Sequence, residues 1–187
     1  YNKQEEGISE LGCIQFGNYS KSTIASGSVA FSRLVWHDRG KSVVFLKDGV
    51  LQFYRFSDKR LLSFDAGKLT ALGLELASGF SGPITIAADG KKVFFSVVKS
   101  AYEAPTKKDT IVQVWNANDN CLYPVRQELE RYGDLPKLAV WFPKKDVFKV
   151  LGDALESNAL VTGQGDYALF YDSYRYGREP KYLEAVD

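Results

Sequence analysis

Two stretches of this chain read alike at a fixed distance. Gly40-Lys41-Ser42-Val43-Val44-Phe45 aligns with Gly90-Lys91-Lys92-Val93-Phe94-Phe95, an offset of 50 residues. Each pairs a glycine-containing turn with an apolar run rich in β-branched and aromatic residues, the pattern of a strand entered from a tight turn. The segment NALVTGQGDYALFYD, residues 158–172, echoes PITIAADGKKVFFSV, residues 83–97, so the signal occurs a third time. A turn-and-strand unit that recurs every few tens of residues restricts the chain to repeat architectures, in which each unit buries its apolar faces on its neighbours.

Around these signals the strands come in meanders. From Phe31 to Gly67 the sequence predicts a strand to Trp36, a turn at His37 to Lys41 and a strand Ser42 to Leu46. A hairpin at Asp48-Gly49, a strand Val50 to Phe56, a turn at Ser57 to Lys59 and a strand Arg60 to Phe64 follow. Leu51, Phe53 and Arg55 face one way and Val50, Gln52, Tyr54 and Phe56 the other, so this sheet is expected to be covered on both faces.

A second unit holds strands at Ile84 to Ala87, Val93 to Val98 and, after the charged loop Ala101 to Asp109, Ile111 to Trp115. A third is expected from the hairpin Lys137 to Phe142 and Val147 to Leu151, across Pro143 to Asp146, followed by Asn158 to Thr162 and Tyr167 to Tyr171. The polar opening to Gly12 reads as a frayed terminus or a strand torn from its neighbours and is assigned no role, Cys13 to Phe16 is a short β-compatible run, and the Ser/Gly/Asn-rich piece Gly17 to Gly27 reads as a loop or hairpin connection. Lys68 to Ser81 has an ambiguous period and is read as irregular connection plus strand. The best helix lies in YPVRQELERYGDLP, where Pro124 suits the first turn and Gly133 and Pro136 mark the end.

The expected fold class is all-β: about three antiparallel four-stranded propeller-like blades, a partial β-propeller, with one short helix. The chain reads as a single domain over residues 1–187, with units at roughly 28–67, 82–135 and 136–187. The composition agrees, with 12 Phe, 11 Tyr and 3 Trp against one His and no Met. A formal net charge of +1 gives no field to draw the chain to nucleic acid, and no apolar run is long enough to span a bilayer as a helix. Lys107-Lys108 and Lys144-Lys145 read as solvated loop charges. The chain opens on Tyr1 and carries no visible signal peptide, so an excised or mature piece of a longer protein is expected. Cys13 and Cys121 form one disulfide or stay as two thiols; the spacing leaves both open, and with them the compartment.

Candidate chemistry is sparse. His37 is the only imidazole, and beside Asp38 in a predicted turn it reads as an exposed turn residue, with a hydrolase built on it as a remote alternative. One His and two distant Cys do not make a zinc set. Asn116, Asn118, Asp119 and Asn120 fit turn chemistry better than a calcium loop. Glu128 and Glu130 point to different faces of the predicted helix, and no phosphate-cradling glycine loop precedes a helix. No catalytic residue, metal site or cofactor is expected. Tyr167, Phe170, Tyr171, Tyr174 and Tyr176 with Arg175 and Arg178 form the densest aromatic and arginine cluster, which reads as strand packing or as a docking surface.

The run IVQVWNANDNCLYPVRQELE, with its Val-Trp pair, acidic residue and Gln-containing helix, resembles the N-terminal propeller of prolyl-oligopeptidase and dipeptidyl-peptidase-like serine peptidases, particularly large bacterial members. KLAVWFPKKDVFKVL and DYALFYDSYRY continue in the order expected there. The resemblance implies a non-catalytic propeller segment that gates or shapes access to a C-terminal α/β-hydrolase domain and contacts peptide substrate. It also implies an extracytoplasmic, periplasmic setting. The nucleophile elbow of that domain needs Gly-x-Ser-x-Gly, and Gly79-Phe80-Ser81-Gly82-Pro83 has Pro in place of the second Gly, so no active-site residue carries over. The binding residues expected are Trp115 and Asn116, the family-like marker, with Tyr174, Arg175 and Tyr176. A self-contained β-sheet binding module for peptide or glycan is the alternative, and open sheet edges make homodimerisation an expectation for a fragment.

Overall fold

The structure, a computed structural model, describes residues 2–5, 7–77, 83–100, 136–152, 158–162 and 164–171. Strands β1 (Asn2–Glu5), β2 (Ile8–Gln15) and β3 (Ser20–Gly27) form a first antiparallel sheet. β4 (Phe31–Trp36), β5 (Ser42–Lys47), β6 (Val50–Arg55) and β7 (Arg60–Ser63) form a second, in simple meander order. One helical turn, α1 (Gly67–Thr70), leads into β8 (Leu74–Leu76). β8 and β9 (Thr85–Ile86) pair with successive parts of β10 (Val93–Lys99), which pairs on its other side with β11 (Lys137–Phe142) and through it with β12 (Val147–Val150). β13 (Asn158–Val161) and β14 (Ala168–Tyr171) form the fourth sheet.

The four-strand meander from Phe31 follows the sequence reading strand for strand. Asp48, at φ 51°, and Gly49, at φ 71°, make the two-residue turn between β5 and β6, the left-handed conformation that an Asp-Gly hairpin supplies. Both faces of this sheet are covered, as its two-sided apolar pattern requires. Val43, Phe45 and Tyr54 pack with Leu11, Ile24 and Ala25 of the first sheet. Val44, Leu46, Leu51 and Phe53 pack with Val93, Phe95, Val97, Ala139 and Trp141 of the third. The far face of the third sheet, at Phe94 and Val140, packs on Val161 of the fourth. The sheets therefore stack in chain order, with an apolar layer between each and the next. The middle layer is dense in rings: Phe64 lies edge-on to Phe95, Trp141 and Phe148 at centroid distances of 5.2–5.4 Å.

Four expectations are corrected. The opening, for which a strand was one of two readings, and most of the Ser/Gly-rich segment, read as a loop or hairpin connection, are paired strands with a place in the fold: β1, β2 and β3 form a sheet of their own, because one buried row, Leu11 with Ile24 and Ala25, holds an otherwise polar hairpin to its neighbour. The hairpin of β11 and β12, expected to open a third unit at 136, is hydrogen-bonded into the sheet of β10, with Val93 opposite Trp141. The segment from Lys68 contains a helical turn before its strand. His37 is buried, at 2% exposure. The predicted strand Ile111 to Trp115, the helix from Pro124 and the tail from Ser173 lie outside the described residues.

Register shows how the sheets correspond. Trp36 lies opposite Val43, Ile86 opposite Val93, and Val161 opposite Ala168, so β4, β9 and β13 are equivalent first strands and β5, β10 and β14 equivalent second strands. Four-residue hairpins ending in a left-handed residue, Tyr19, Lys59 and Asp146, join β2 to β3, β6 to β7 and β11 to β12. The first sheet thus matches the last three strands of the second.

Candidate functional site

Three tight turns join the first strands to the second strands, and they are built identically. In the first, His37 N–H donates to the Ser42 carbonyl at 3.0 Å and Gly40 N–H to the His37 carbonyl at 2.7 Å. Ala87 with Lys92 and Gly90, and Thr162 with Tyr167 and Gly165, repeat both bonds at 2.8–3.0 Å. The glycine of each turn has φ between 64° and 72°, a conformation that costs any other L-residue about 1–2 kcal/mol. The repeat seen in the sequence is therefore a repeat of backbone hydrogen bonds.

Each turn is fastened to the next. His37 Nε2 lies 2.9 Å from the Ala88 carbonyl, while His37 Nδ1 accepts from Arg39 N–H at 3.2 Å, which makes Nε2 the protonated nitrogen and the donor. Lys92 Nζ donates to the Gly165 carbonyl at 2.9 Å and to Asp166 Oδ1 at 2.8 Å. Gly90 packs against the His37 ring, and Gly165 against Ala87 and Phe94. On the second sheet a bulge at Arg33, φ 53°, turns the guanidinium across the interface to the Ala77 carbonyl at 2.8 Å. His37 thus acts as a structural tie between sheets. The sequence could not show this, since its partner lies 51 residues away.

Beside the turns, the three first strands line a cleft of about 420 Å³. Val35 and Trp36 come from β4, Thr85 and Ile86 from β9, and Leu160 and Val161 from β13. The size falls in the range of small-molecule sites, about 300–1,000 Å³. Its lining is mostly apolar, with Asp38, Thr85 and Thr162 as the polar residues. Trp36 is half exposed, and its ring stacks on Phe56 at 5.5 Å with 5° between the planes, on the face of the second sheet that Val43 turns to the first sheet. Among the described residues no group of three or more His, Cys, Asp or Glu could hold a metal ion.

Two carboxylates away from the cleft are perturbed. Asp146 is held below the ordinary carboxylate range by its hydrogen bond from Lys68, with a smaller contribution from Trp141. Asp58 is held down by its hydrogen bonds from Arg55. The Lys144-Lys145 pair is solvated as expected, and its neighbour Asp146 joins α1 to the β11–β12 hairpin. Cys13 is a free thiol, 3.0 Å from the Ser22 hydroxyl, and Cys121 lies outside the described residues.

None of the binding residues expected from sequence, Trp115, Asn116, Tyr174, Arg175 and Tyr176, lies within the described residues, nor do Gly79 to Gly82. The cleft residues were missed. Their signal is positional: Trp36, Ile86 and Val161 each precede the first residue of a repeated turn.

No protein-family model matches the sequence, and no curated protein matches it. Solved structures that resemble it include dipeptidyl peptidase 4 of Porphyromonas gingivalis, at TM-score 0.52 and 9% identity, covering 90% of this chain and 26% of that one. The fold is of the general β-propeller kind. At that identity the likeness concerns fold alone. TolB of Acinetobacter baumannii, at TM-score 0.42 and 13% identity, covers 90% of this chain and 33% of its own. The uncharacterized protein lmo1340 of Listeria monocytogenes, at 0.44 and 8%, covers 82% and 37%. The chain spans between 26% and 37% of these three structures. In a propeller, sheets are set around a central channel, and the cleft lies where three successive sheets bring their first strands together.

Proposed function

We propose that this chain is a non-catalytic propeller segment of a larger, peptidase-like protein, and that its first-strand cleft shapes the access of extended peptide to a partner α/β-hydrolase domain. The observation that carries the reading is the cleft: three consecutive sheets contribute equivalent strands to one mostly apolar wall, in which Asp38, Thr85 and Thr162 are the polar residues. Such a surface suits a peptide, whose side chains meet apolar wall while its backbone meets Asp38, Thr85 and Thr162. The chain supplies no reacting group in this reading. Trp115 with Asn116, and Tyr174 with Arg175 and Tyr176, are proposed as further contacts to peptide or to the partner domain.

The test is a titration of the chain with labelled, unstructured peptides, read by fluorescence anisotropy. Saturable binding that weakens at least about tenfold in Trp36→Ala supports the cleft as the site. Absence of saturable binding to any peptide, or binding indifferent to Trp36→Ala, overturns it. Covalent labelling of the chain by a fluorophosphonate serine-hydrolase probe would overturn the non-catalytic reading.

A further inference from the structure

Among the described residues, four non-glycine residues with positive φ, Tyr19, Asp48, Lys59 and Asp146, sit in hairpin turns. Arg33, at φ 53°, lies instead inside β4, where it and Leu34 together fill the gap between the pairs Ser32 with Leu46 and Val35 with Val44. A bulge of this kind re-aims a side chain, and a left-handed arginine within a strand is held by its surroundings rather than by local preference. The guanidinium is aimed at the third sheet, where Nη1 donates to the Ala77 carbonyl at 2.8 Å. The second and third sheets each have a neighbour on both sides, so this bulge belongs to the interior of the stack.

One bond to a carbonyl leaves most of the five guanidinium N–H groups unused. No carboxylate among the described residues pairs with Arg33, and Ser78 to Pro83, which follow Ala77, include no Asp or Glu. Arg39 and Arg60 also lack a carboxylate partner but are exposed to water, whereas Arg33 is partly buried. A cation drawn out of water without a counter-ion carries a cost that an anionic ligand relieves. The neighbouring feature is the cleft: Val35, two residues along β4 and so within about 7 Å of backbone, is part of its wall. Arg33 stands beyond that wall on the side away from Asp38 and the turns.

We propose, on the peptide reading of the cleft, that Arg33 binds a carboxylate of the peptide held there, and that the cleft therefore selects peptides with a carboxylate at its end away from the turns. The group is the C-terminal carboxylate or an Asp or Glu side chain. The bond to Ala77 fixes the fork in place, and its remaining N–H groups meet both carboxylate oxygens, a geometry that a lysine ammonium does not supply.

The experiment is isothermal titration calorimetry of the chain with unlabelled, acetylated pentapeptides of one neutral sequence. The free C-terminal acid, the C-terminal amide and the amide carrying one Glu in place of Gln are compared. The acid or the Glu peptide is expected to bind the wild type at least about tenfold more tightly than the neutral amide, and which of them does so identifies the source of the carboxylate. In Arg33→Gln, which keeps a donor for Ala77 but no charge, that preference should disappear while the neutral amide binds as before; Arg33→Lys should restore only part of it. A wild type that binds the neutral amide but prefers neither charged form overturns the proposal and leaves the cleft as a peptide site. A preference that survives Arg33→Gln overturns it too, as does a loss of affinity in that variant shared equally by charged and neutral peptides. No saturable binding of any form overturns both the proposal and the peptide reading. The wild-type comparison decides even if a variant fails to fold.

Discussion

His37 shows how much a single side chain does in a stack of sheets. It is buried, its Nε2 donates to Ala88 of the next turn, and its ring is the surface on which Gly90 rests. His37→Ala removes one hydrogen bond and the ring, and should cost about 1–3 kcal/mol in urea unfolding; an unchanged midpoint would deny the tie. Asp146 acts at the opposite end of the second and third sheets, accepting from Lys68 and from the Trp141 indole. Its folded carboxyl is depressed below the ordinary 3.8, chiefly by Lys68. It therefore binds a proton less readily folded than unfolded, and its contribution is present above pH 3.8 and lost as pH falls through the lower folded value. Asp58 has the same sign through Arg55. Both carboxylates are exposed, so the effect is small. Asp146→Asn should flatten the fall in unfolding midpoint below about pH 4 while lowering the midpoint slightly near neutrality; an acid limb identical to wild type would contradict it.

At the scale of the element, the repeated turn separates two costs that glycine substitutions usually combine. Gly40, at φ 64°, has open space where a Cβ would go, so Gly40→Ala should cost only the left-handed backbone, about 1–2 kcal/mol. Gly165, at φ 72°, would place its Cβ 2.6 Å from Ala87 Cβ and 3.0 Å from Phe94 Cε2. Gly165→Ala adds overpacking of about 1–3 kcal/mol to the same backbone cost, and chemical denaturation of the two variants should rank them in that order. These turns were legible because glycine punctuates them, and the hairpins at Asp48-Gly49 and Pro143 to Asp146 were legible for similar reasons. β3 was not: Ser20–Gly27 buries only Ile24 and Ala25, too short an apolar signal to outweigh its serines and glycines. The pairing of β11 with β10 was hidden too, since partner choice depends on contacts across dozens of residues.

At the scale of the molecule, stability resides in layers between sheets. Phe95 lies at the centre of the middle layer, fully buried against Phe64 and Phe148. Phe95→Ala should cost about 3–5 kcal/mol, and the loss should appear in the second and third sheets together when hydrogen exchange is followed strand by strand. Protection lost in the third sheet alone would mean that the sheets do not share a core. The all-β class and the propeller kind were legible in the recurring turn and the two-sided strands. The cleft was not, because Trp36, Thr85 and Leu160 become neighbours only once three sheets have stacked. The cleft depends on those sheets having one register. Cross-strand nuclear Overhauser contacts of the backbone test it most directly: Trp36 with Val43, Ile86 with Val93, and Val161 with Ala168 should all appear, with Val93 also in contact with Trp141. A shifted partner for any one of the three pairs, or a Val93 strand that pairs elsewhere than with Trp141, would contradict the repeat and the cleft built on it.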